Sequence, residues 1–99
     1  MNSTENLFIV ASEECAEIQQ CISKTLRFGA DDCHPDRPDS TNEIELLTEY
    51  YQLQAVIEML QEKGALKTLS AEEIETIKVS KKAKVLKYAE YSKKIGLLN

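Results

Sequence analysis

Glu14 and Glu17 in the stretch "EECAE", with Glu49 in "EYYQ", are residue types that could seat a hard divalent cation. Carboxylates three residues apart lie on one face of a helix and can converge. All-oxygen ligands at this density favour Mg²⁺ or Mn²⁺. Glu13 beside them, and Glu45 and Gln52 on either side of Glu49, extend the candidate set. Lys24, Lys81 and Lys84 could hold phosphate oxygens, and Tyr88 or Tyr91 could donate a hydrogen bond or stack on a base. Two inward lysines opposite an acidic, metal-loaded pocket would suit a phosphate-bearing ligand.

These side chains must be positioned by helices. Glycine and proline are rare and no run of alternating β-branched residues occurs, so the pattern is helical throughout. Asn2, Ser3 or Thr4 can cap a first helix over about residues 5–28, stopped by Gly29. The stretch "ADDCHPDRPDSTN" carries both prolines and reads as a loop over 29–41, long enough to suggest a role in function. Thr41 or Asn42 can cap a second helix over 42–63, and Ser70 with Glu73 forms a capping box for a third over 71–95, with a break expected near Val79.

On a wheel of about 100° per residue, Leu7, Val10, Ile18, Cys21 and Ile22 share one face of the first helix. Glu14 falls in the middle of that face, Glu17 at its edge and Glu13 toward solvent. In the second helix Leu46, Leu53, Val56, Ile57 and Leu60 form the apolar arc with Glu49 inside it, and Glu45 and Gln52 line one edge. The third helix has Ile74, Ile77, Val85, Tyr88 and Ile95 on one face, together with Lys81 and Lys84, and Tyr91 at the margin. Inward carboxylates repel and are costly unless they are neutralised by protons, lysines or a cation. The plainer alternative is that the inward lysines simply pair with the glutamates, or snorkel along the core edge.

With 99 residues the chain is one domain, 1–99, and three helices this short bury only a modest core. The expected fold class is all-α: an antiparallel bundle of three main helices, its four-helix-type core completed by homo-oligomerisation as a homodimer or homotetramer. A net charge of −5 argues against binding of a nucleic-acid polymer. With 29% charged residues and no apolar run near the ~20 residues of a membrane span, no membrane partner is expected. The three cysteines, Cys15, Cys21 and Cys33, read as reduced apolar fillers, and Cys33 with His34 has poor spacing for zinc.

The motif "EECAE" (Glu13 to Glu17) resembles the E-E-x-x-E of the MazG-like family, all-α nucleoside triphosphate pyrophosphohydrolases. "SKTLRFGADD" and "KKAKVLKYAEYSKKIG" resemble small phage-borne members, and the similarity spans roughly residues 5 to 96. The resemblance implies an Mg²⁺-dependent enzyme that cleaves a nucleoside triphosphate to the monophosphate and pyrophosphate, in the cytoplasm of a host cell. By position, Glu14, Glu17 and Glu49 would be metal ligands, and Glu13 a second-metal ligand or the residue that orients the water. The family's second-helix motif is E-x-x-D, so Gln52 stands where the family has Asp. Gln is a neutral, weaker ligand with one carbonyl oxygen, and Glu45 would have to compensate. The alternatives are a catalytically weakened nucleotide-binding protein of the same fold and a non-enzymatic helical interaction protein.

Overall fold

Asn2 starts the first helix: its Oδ1 accepts from the Glu5 backbone N–H at 2.8 Å and its Nδ2 donates to Glu5 Oε1 at 3.1 Å. This cap sets α1 at Ser3–Phe28, a little earlier than the sequence pattern places it. Gly29, at a φ of 93° that other residues rarely adopt, ends it. Thr41 Oγ1 accepts from the Ile44 N–H at 3.3 Å and caps α2, Asn42–Glu62. The reciprocal Ser70–Glu73 hydrogen bonds, both 3.1 Å, begin α3, Ala71–Lys94. The computed structural model describes residues 1–99, all-α with three helices and no strand. The expected break near Val79 is absent: α3 runs unbroken through Thr76, Ile77 and Val79, with no glycine or proline to interrupt it. No helix is long and apolar enough to cross a membrane.

The chain divides into two compact units, Met1–Lys67 and Thr68–Asn99. In the first, α1 and α2 form an antiparallel hairpin. Lys63 Nζ donates to Ser3 Oγ at 3.0 Å at one end, and Asn42 Nδ2 donates to the Gly29 carbonyl at 2.9 Å at the other. Most sheltered residues follow a 4-3-4-3 spacing: Leu7, Ala11, Glu14, Ile18, Cys21 and Thr25 on α1, and Asn42, Leu46, Glu49, Leu53, Val56 and Leu60 on α2, with Val10, Glu45 and Ile57 half-buried beside them. This is the 3.5-residue repeat of helices packed along a shared seam. Ile22, which a 3.6-residue wheel puts on the inner face, is 52% exposed. The seam is thin: only Ala11, Cys21 and Leu60 are buried hydrophobics. Glu14 and Glu49 both occupy it.

The 29–41 loop is tied down by its backbone. The Asn42 N–H donates to the Asp32 carbonyl at 2.9 Å, that of Glu43 to Ala30 at 3.1 Å, and that of Arg37 to His34 at 2.9 Å. In the second unit, acidic Glu72 and Glu73 sit in the first turn of α3 and basic Lys93 and Lys94 in its last, matching the helix dipole. No residue of α3 is buried. Its stability therefore leans on local devices, and Ser70→Ala is expected to cost about 1 kcal/mol by urea unfolding, with Ser70→Thr close to wild type.

Candidate metal centre

Glu14 on α1, Glu17 one turn later and Glu49 across the seam on α2 each bring a carboxylate oxygen to within 4.8 Å of the others. Glu14 and Glu49 are half-buried and Glu17 is exposed. The Oε2 atoms of Glu14 and Glu49 are buried without a hydrogen-bond partner. Carboxylates only accept hydrogen bonds unless one of them holds a proton. This pushes the Glu49 carboxyl up to about 7: the close approach of the Glu17 and then the Glu14 carboxylate favours a shared proton, and burial and repulsion by both neighbours act in the same direction. The hairpin therefore holds an all-oxygen cluster that is short of positive charge, the kind of donor set that hard cations take.

Beside the cluster opens a cleft of about 370 Å³ lined by both Glu17 and Glu49, by Cys21 and Thr48, and by two cations, Lys24 and Arg37. Arg37 comes from the loop. Its Nη1 lies 3.6 Å from Glu45 Oε1, and Ser40 Oγ donates to the same oxygen at 3.2 Å. Glu45 is thus engaged by the loop, outside the three-carboxylate cluster. Burial first, then the charges of Glu45 and Glu49, push the Cys21 thiol up, which keeps it a neutral filler. All three cysteines are free.

The remaining sequence candidates are exposed side chains. Glu13 is exposed on α1 and Gln52 exposed on α2. Lys81, Lys84, Tyr88 and Tyr91 are exposed on α3, with Lys87 Nζ 5.8 Å from the Tyr88 ring centroid. Sequence reasoning missed Arg37 and Ser40. The available signal was the basic residue set between the two prolines of the long loop.

Comparison with known protein families, curated proteins and solved structures finds no match to this chain. Function has to be inferred from the chemistry of the cleft.

Proposed function

We propose that this protein is a MazG-like nucleoside triphosphate pyrophosphohydrolase that uses Mg²⁺ or Mn²⁺. The observation that carries the proposal is the Glu14, Glu17 and Glu49 cluster, with two buried carboxylate oxygens lacking any partner. Those orphaned oxygens and the all-oxygen donor set fit a hard divalent cation. Glu14, Glu17 and Glu49 would hold it; when bound, it supplies charge neutralisation on the phosphates and an acidified water.

The chain's own groups do the rest. Lys24 and Arg37, lining the same cleft as Glu17 and Glu49, offer donors to the phosphate oxygens of a triphosphate. Glu45 draws the Arg37 guanidinium toward the cleft through the ion pair on its Oε1. Glu13, exposed one residue before Glu14, stays a candidate from the MazG-like resemblance alone, for a second cation or for orienting the water. Lys81, Lys84, Tyr88 and Tyr91 are the further substrate-binding candidates from the MazG-like resemblance.

We also infer a homodimer or homotetramer acting in the cytoplasm. The thin seam and the uncovered apolar side chains of the first unit, among them Phe8, Ile9, Ile22 and Leu47, support association, as does the wholly unburied α3.

The test is pyrophosphate release from a panel of ribo- and deoxyribonucleoside triphosphates in Mg²⁺, in Mn²⁺ and in EDTA. Release that requires the cation is expected; none with any substrate would overturn the enzyme. Gln52 favours a second possibility, a nucleotide binder without turnover, because it is both neutral and exposed. That protein would show cation-dependent thermal stabilisation by nucleotides with no pyrophosphate.

A further inference from the structure

We propose that the cavity built by the 29–41 loop is a nucleobase subsite selective for rings bearing an exocyclic amino group; this rests on the cation and phosphate assignment of the neighbouring cleft. The cavity, about 250 Å³, shares Lys24, Arg37 and Glu45 with that cleft. A ligand whose phosphates lie by Lys24 and Arg37 would therefore reach it with its other end. It is smaller than the ~300–1,000 Å³ of a pocket for a whole drug-sized ligand, a scale suited to one ring-bearing part.

The lining supplies ring faces and acceptors. Phe28, His34 and Pro35 offer flat surfaces, and stacking on aromatic side chains is the sequence-tolerant way to hold a base. The Arg27 guanidinium lies over one face of the Phe28 ring, 4.9 Å from its centroid. Asn42 spends its Nδ2 on the Gly29 carbonyl at 2.9 Å, so its Oδ1 remains as an acceptor. Asp32 lines the same cavity, and its carboxylate can only accept. These acceptors suit the amino group of cytosine, adenine or guanine, and oppose the O4 carbonyl of uracil or thymine. The backbone hydrogen bonds of Asp32 and Ala30 to α2 hold the loop in this shape before any ligand arrives.

The experiment is isothermal titration of the full chain, in Mg²⁺ and again in Mn²⁺, with inorganic tripolyphosphate and with the α,β-imido analogues of dCTP and dUTP. Both analogues are expected to bind more tightly than tripolyphosphate, and the dCTP analogue about tenfold more tightly than the dUTP analogue, the worth of one satisfied polar contact. Asp32 is exposed, so Asp32→Asn should fold with an unchanged melting curve, and it should bring the two analogues to within about twofold of each other. Equal affinity for the two analogues in the wild type, or a preference that survives Asp32→Asn, would overturn the subsite while tripolyphosphate binding left the phosphate cleft standing. Failure of tripolyphosphate to bind with either cation would overturn the phosphate assignment, and the base subsite with it.

Discussion

Glu49→Gln is expected to raise the melting temperature of the cation-free protein and, in the same molecule, to remove cation-dependent pyrophosphate release. The two effects have one cause. Three carboxylate oxygens lie within 4.8 Å of one another, and in the cation-free fold their crowding raises the Glu49 carboxyl to about 7. Gln has nearly the same shape, carries no charge, and its amide can donate to a neighbouring carboxylate. Repulsion across the seam falls and a buried acceptor such as Glu14 Oε2 gains a possible donor. In a chain of this size each 1 kcal/mol gained moves the midpoint by ~4–8 °C. Function moves the other way. Loss of residues that merely orient metal ligands typically costs about 10–100-fold, so loss of a proposed ligand should reach at least the upper end of that range. Glu14→Gln should behave alike. Were the cluster only a structural network, either substitution would lower the melting temperature, and cation dependence would be unaffected. Calorimetric melting in EDTA beside the pyrophosphate assay separates the cases.

The helices were legible in the sequence because their determinants are local. Asn2, Thr41 and Ser70 each cap the helix that follows, and Gly29 takes the positive φ that ends the first. Glu14 and Glu49 were legible as inward carboxylates because both fall among apolar neighbours at helical spacing. Ile22 was misplaced for a physical reason: the hairpin seam follows a 3.5-residue repeat, and the drift from 3.6 turns Ile22 out and brings Ala11 and Thr25 in. The loop was not legible beyond its existence. Its shape depends on backbone bonds from Asn42 and Glu43 to Asp32 and Ala30, contacts that no periodicity announces. Arg37 therefore could not be placed at the cleft, nor Glu45 assigned its loop partners Ser40 and Arg37, until the chain was folded.

The pH dependence of stability should reverse when a divalent cation is added. In EDTA the folded protein keeps a proton on Glu49 up to about 7, whereas the unfolded chain gives it up near the ordinary value of 4.5. Between those limits the folded state binds more protons than the unfolded one, so raising the pH favours unfolding. From this group the contribution is full below 4.5, declines across the window and is gone above about 7. The melting temperature in EDTA should accordingly fall between pH 5 and pH 7. A cation needs the carboxylates deprotonated and competes with that same proton. The stabilisation by Mg²⁺ or Mn²⁺ should be small at pH 5 and grow to its maximum above pH 7. At a free cation concentration 1,000 times Kd it would reach about 4.1 kcal/mol, more than the ~3.4 kcal/mol that a rise from 4.5 to about 7 represents. Melting curves taken across the window, with and without cation, test this directly. The difference between the two curves should widen with pH in the wild type and vanish in Glu49→Gln. A difference that stays constant from pH 5 to pH 8 would mean that the cation binds away from Glu49, and the Glu14, Glu17 and Glu49 cluster would lose its assignment as the metal seat.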